Sequence, residues 1–308
     1  MKITLLLLLL TVPLRATEIG RAGAHVFHSS FWLNLHERLR HEAVQKTPAE
    51  HAFTGAELSA WRQALEIYRA DVGTKSPVFD RPLALVWHTL SETPDGATPK
   101  GIPPRIAEAL RIAAPAYRAK LWKQDDAANR FWTSVAVTLL REAGPEVAAG
   151  IARVYGVTWM KRIDVEVAPY CDEHGAATPE VHKGKYLTVV SSRDPGYQEF
   201  HALEMMFHEP MHHFDFYQEI EMAAGGPGAK TPRNLSHALL FYTAGEITRR
   251  ALSNRGVVYE PNSDEVLGRA WPHFIEPIDQ HWKPVIDGRS TRAEALKAIL
   301  AAHRPRTN

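Results

Sequence analysis

Cysteine is almost missing from this chain: Cys171 is the single one in 308 residues. No disulfide can form within the chain, so its stability rests on packing, with or without a metal ion. Runs of one charge are missing too. With 36 Lys and Arg against 35 Asp and Glu the formal net charge is +1, and without clustered cations nucleic acid is not expected as a partner. Past the N-terminus no apolar stretch approaches the roughly 20 residues that a bilayer requires, and there is no internal repeat or low-complexity segment. What the chain has in quantity is hydrophobic side chains, 45% of the total, and 16 histidines. Such a composition suits a globular protein with one large core or two smaller ones.

The first residues carry their own pattern: Met1-Lys2, an apolar run from Ile3 to Leu14, then Arg15-Ala16-Thr17. A charged start, a dozen apolar residues and a small residue before the cut make a secretory signal peptide, residues 1–16. The run is too short to anchor the chain in a membrane. The expectation is an exported protein, periplasmic or secreted, with no membrane span once the signal is removed.

After it, apolar residues recur at helical spacing over about 24–44, 55–72, 81–92, 102–141 with a break near 122–126, and 144–155. This helical N-terminal region, residues 17–160, contains no obvious chemistry. From Arg162 the period changes to two, with Ile163, Val165 and Val167 alternating with Asp164 and Glu166, and a second strand is expected over 185–192. A hairpin is the expected connection between them. Within it Cys171, Asp172, Glu173 and His174 form a weaker candidate ion site. One long helix is then expected from Tyr197 to Met222, another over 232–253, and two more over 270–286 and 291–303. The fold class is α+β, mainly α-helical, with a catalytic region over 161–308.

The chemistry sits in His208-Glu209-Pro210-Met211-His212. On an α-helix, residues i and i+4 share a face, so His208 and His212 can direct ring nitrogens at one Zn²⁺, and Glu209 can serve as general base toward water that the ion acidifies. A catalytic zinc needs a third protein ligand. Glu246 leads, because it lies mid-helix in an apolar stretch where an unpaired carboxylate is costly. His237 competes with it. The two are nine residues apart, half a turn out of phase, so both cannot face one ion. Tyr242, four residues before Glu246, would present its hydroxyl to the same cleft as an oxyanion donor, and His237, if it is not a ligand, could act as a second one.

A strand, a helix with His-Glu-x-x-His and a following helix with a glutamate resemble the gluzincin division of zinc metallopeptidases, over roughly residues 162–255. The resemblance implies a peptide or protein substrate, one catalytic zinc on His208, His212 and Glu246, Glu209 as base, Tyr242 opposite the scissile carbonyl, and the strand 185–192 as a substrate-pairing edge. Two positions depart from it. Pro210 stands where the family prefers a large apolar residue, and a proline inside a helix costs about 3 kcal/mol or more. Arg250 stands where an aspartate often supports a zinc-bound histidine, which leaves Glu204, Asp215 or Glu219 to orient the imidazoles. The alternative to a peptidase is an exported binding or scaffold protein of the same fold that has no catalysis. A di-iron carboxylate site is excluded, since no second Glu-x-x-His exists to complete it.

Overall fold

A computed structural model describes residues 18–44, 50–171 and 175–303. The expected signal peptide, together with Asp172, Glu173 and His174 of the candidate loop, lies outside the described residues. The chain is mainly helical around one small sheet, the α+β, mainly α architecture expected.

Strands β1 (Glu18–Ala22) and β2 (His25–His28) form an antiparallel pair, and the helices α1 (Phe31–Val44), α2 (Gly55–Asp71), α3 (Arg81–Glu92), α4 (Pro104–Lys120), α5 (Trp122–Glu142) and α6 (Gly144–Tyr155) follow. The chain then re-enters the sheet as β3 (Ile163–Ala168), continues through β4 (Ala176–Ala177), β5 (Glu180–His182) and β6 (Lys185–Tyr186), and returns as β7 (Thr188–Ser191). The sheet order is β1-β2-β3-β7-β4, while β5 and β6 pair only with each other.

Two expectations change here. Residues 24–30 are strand and turn, where a helix was expected, because His25-Val26-Phe27-His28 pairs in parallel with Ile163–Glu166; a short apolar run fits either period, and the partner strand decides. The two regions expected from the sequence, residues 17–160 and 161–308, therefore share one sheet. The second change is that β3 and β7 are parallel neighbours, Val165 opposite Thr188, so no hairpin joins them. The intervening chain forms the edge strand β4, antiparallel to β7, and the β5–β6 hairpin. Thus β7, expected as an edge, is interior.

Both faces of the sheet are covered, which agrees with the near-continuous apolar strands of parallel pairing. Phe27, Val165, Val167 and Val190 face a core built with α5, α6, α7 (Glu199–His208) and α9 (Leu235–Ser253). Val189 and Leu187 face a second core with Trp61, Tyr68, Trp87 and Tyr117 of α2, α3 and α4. The rest of the chain is α8 (Phe216–Ala224), α10 (Asn262–Ala270), the short turns α11 (Ile275–Pro277) and α12 (Lys283–Ile286), and α13 (Arg292–Ala302), the last opened by a capping box between Thr291 and Glu294. No described helix is long and apolar enough to cross a membrane.

Candidate metal centre

The single helix expected over 197–222 is three pieces: α7 ends at His208, Glu209–His213 is a 3₁₀ segment, and α8 starts at Phe216. Pro210 is the cause. Its nitrogen has no hydrogen, so the carbonyl of Met206, four residues earlier, loses its helical donor. His25 on β2 replaces it, with Nε2 donating to Met206 O at 2.7 Å. Burial holds the His25 pKa down at about 4, although hydrogen bonds to the carbonyls of Met206 and Ala22 oppose it. A strand side chain thus completes the helix end that the proline leaves open.

The break turns His212 off the ideal helical register, yet it still meets His208. Their ring centroids are 5.0 Å apart, and each lies 5.1 Å from the ring of His237 on α9. One ring nitrogen from each of His208, His212 and His237 lies within 4.8 Å of the others, and His208 Nε2 approaches His237 Nε2 to 3.2 Å. Phe241, one turn after His237, packs its edge on His208 at 4.2 Å, and Trp271 flanks His237 at 5.1 Å. Burial pushes the His208 pKa well below its ordinary value and that of His212 to about 4. Both rings are neutral at neutral pH, as ligation requires.

The donor set fits a divalent ion. Two nitrogens bound tetrahedrally at about 2.0–2.1 Å stand roughly 3.3 Å apart, close to the 3.2 Å found between His208 and His237. Three imidazoles and one open position are a known catalytic zinc set, and neutral imidazole suits Zn²⁺ among the first-row metals. His208 Nδ1 is buried and has no partner among the described residues, so the acceptor that commonly orients a ligating imidazole is missing for this ring. Of the acids expected to supply one, Glu204 accepts from Tyr259 Oη and from the backbone N–H groups of Asn262 and Ser263, and Glu219 pairs with Arg292.

Glu209 is buried on the side of the sheet. Its Oε2 accepts a 2.6 Å hydrogen bond from Thr178 Oγ1, which lies 3.1 Å from Thr188 Oγ1. Thr178 directly follows the edge strand β4 and Thr188 opens β7, so the register that pairs Ala176 with Val190 brings the two hydroxyls together under the carboxyl. Burial, opposed only by the Thr178 hydrogen bond, raises the Glu209 pKa to about 7. The next histidine, His213, turns away and stacks on Tyr186 of the β5–β6 hairpin at 4.0 Å.

The structure does not bring Glu246 to this cluster. Its two oxygens accept from Arg249 and Arg250, and Arg250 also pairs with Asp287. The mid-helix carboxylate therefore has partners three and four residues on along its own helix, and the case for a ligand weakens with them. Tyr242 shares that face: its hydroxyl points to Asp279 Oδ1 at 3.5 Å, away from the histidines. The half-turn offset between His237 and Glu246 still separates them, and it is His237 that faces the pair. Gly245 permits a close approach, although to the start of α10, where a Cβ would overlap Ser263 and Pro261, and not to α7. Thr178 was beyond sequence reasoning, since only the pairing of β4 with β7 brings it beneath Glu209.

No family model, no curated protein and no solved structure matches this chain.

Proposed function

We propose that this chain is an exported metallohydrolase that cleaves peptide bonds, with one Zn²⁺ held by His208, His212 and His237. The convergence of ring nitrogens from His208, His212 and His237 within 4.8 Å of one another is the observation that supports this reading most. A zinc ion there supplies Lewis acidity, lowering the pKa of water and polarising a carbonyl. Glu209 takes the proton from water and returns it to the departing amine. Thr178 holds one carboxylate oxygen and leaves the other for that exchange. The motif's resemblance to gluzincins supports a peptide substrate; the third donor departs from that group, a histidine replacing the glutamate.

The reading as a metal-binding scaffold without catalysis draws on one feature, the turn of Tyr242 toward Asp279, which leaves the oxyanion without its expected donor. A comparison of the full chain with Glu209→Gln separates the two. The enzyme reading expects one zinc per chain in both proteins and turnover of a quenched-fluorescence peptide library that falls by at least about 10²-fold in the variant. Zinc in both with no turnover in either supports the scaffold, and absence of zinc from both after loading overturns the metal centre.

A further inference from the structure

A second site lies at the carboxyl ends of the parallel strands β3 and β7. The chain leaves there a cavity of about 480 Å³ bounded by Glu37, Arg40, His41, Tyr170, Arg193 and Asp194, among others. It is distinct from the metal centre, because α7 begins beyond this cavity and runs 10 residues before it reaches His208, about 15 Å at the helical rise. Ligands of open sheets collect outside the carboxyl ends of parallel strands, in cavities of roughly 300–1,000 Å³.

The polar lining is asymmetric. Each of three acceptor side chains already takes at least one hydrogen bond: Glu37 Oε1 accepts from Arg40 at 2.9 Å and from Trp87 Nε1 at 2.6 Å, Asp194 Oδ1 accepts from the Gly196 N–H, and Ser191 Oγ accepts from the N–H groups of Arg193 and Asp194 while donating to Pro169 O. Behind the wall Asp125 takes a two-point pair from Arg38 and a hydrogen bond from Tyr117. The donors retain capacity. Arg193 donates through Nη2 to the already shared Asp125 Oδ1 at 2.8 Å, and its Nε and Nη1 make no hydrogen bond to a described residue. The Tyr170 hydroxyl makes none either. Its ring is held flat against His41, centroids 3.8 Å apart, with the Arg38 and Arg193 guanidiniums at 5.2 and 5.9 Å. Donors with spare hydrogen bonds, one of them cationic, ask for an oxyanion. The charge it carries is bounded by what can offset it: of the two guanidiniums in the lining, Arg40 is held by both Glu37 oxygens and Lys75 O, so Arg193, with the Asp194 carboxylate nearby, balances a monoanion and leaves a phosphate dianion uncompensated.

We infer that this cavity binds a small organic carboxylate, its carboxylate taken by Arg193 and the Tyr170 hydroxyl and its body filling the remaining volume. The inference is independent of the metal centre. The test uses hippurate as probe, with hippuramide and inorganic phosphate as the other arms, and the zinc-free full chain in a calorimetric titration. Hippurate is expected to bind at millimolar strength or tighter and hippuramide at least about tenfold more weakly. Tyr170→Phe, which removes only the hydroxyl, should weaken hippurate several-fold, Arg193→Gln should do so by at least about tenfold, and His212→Ala should leave it unchanged. Three results overturn the inference: no hippurate binding, phosphate binding as tightly as hippurate, or loss of hippurate binding in His212→Ala. A Tyr170→Phe protein that melts like the wild type yet binds hippurate undiminished overturns the assigned contact even if Arg193→Gln fails to fold.

Discussion

At the scale of single residues the site turns on which side chain of α9 faces His208 and His212. A residue nine positions on is rotated half a turn, so His237 and Glu246 exclude one another as ligands, and the arginines at 249 and 250 decide the matter by pairing Glu246 on the far face. The sequence contained both arginines, three and four residues after the glutamate, and this was the signal that could have removed Glu246 from consideration. Two substitutions separate the roles. His237→Ala should weaken zinc binding, measured by competition with a chromophoric chelator, by more than about 100-fold, beyond the 10- to 100-fold that loss of an outer partner costs. Glu246→Gln should leave zinc affinity within about threefold and cost stability by only about 1 kcal/mol, since its arginine partners are partly exposed. The opposite ranking would return the third position to Glu246.

At the scale of elements, Pro210 and His25 form one device. The proline ends α7 and frees the Met206 carbonyl, and the strand histidine accepts the task of satisfying it. His25→Leu should therefore destabilise the chain by about 1–3 kcal/mol, the cost of a buried carbonyl left unpaired. In a Pro210→Ala background the regained N–H at position 210 can serve the same carbonyl, so the effect of His25→Leu should shrink, with a coupling of about 1 kcal/mol or more in a double-mutant cycle read by urea denaturation. Additive effects would show that the two residues act separately. Pro210 marked the one position in the expected helix where a hydrogen bond must be lost; the histidine that compensates it was not legible, because 181 residues separate His25 from Met206 and only the placement of β2 beside α7 brings them together.

The whole molecule keeps a buried acid on the other face of its sheet as well. Glu166 on β3 accepts from Ser30 Oγ at 2.7 Å on both oxygens, and burial raises its pKa to about 7. A folded-state value above the unfolded one of about 4.3 means that its contribution is fully present below that value and is lost as pH rises through 7. Glu166→Gln should remove this loss: the difference in unfolding free energy between wild type and variant, read by urea denaturation, should move in the variant's favour between pH 5 and 8, by on the order of 3 kcal/mol. A difference independent of pH would show that Glu166 stays ionised throughout. Buried imidazoles act with the opposite sign. His25, depressed to about 4, contributes above its unfolded value near 6.5 and loses that contribution as pH falls through 4.

Spacing along local segments was enough for the helical character of most of the chain, for a strand from Ile163 and a second one within 185–192, and for His208 and His212 as a pair, while the unbroken helix expected over 197–222 gave way at Pro210. Tertiary structure alone decided what depends on distant partners. Residues 25–28 became a strand because β3 was there to pair with them, and β7 became interior because β4 covers its outer side. His237 took the place beside the histidine pair because α9 packs on α7 with that face inward. Thr178 reached Glu209 because strand register, a property of two segments at once, brought it there.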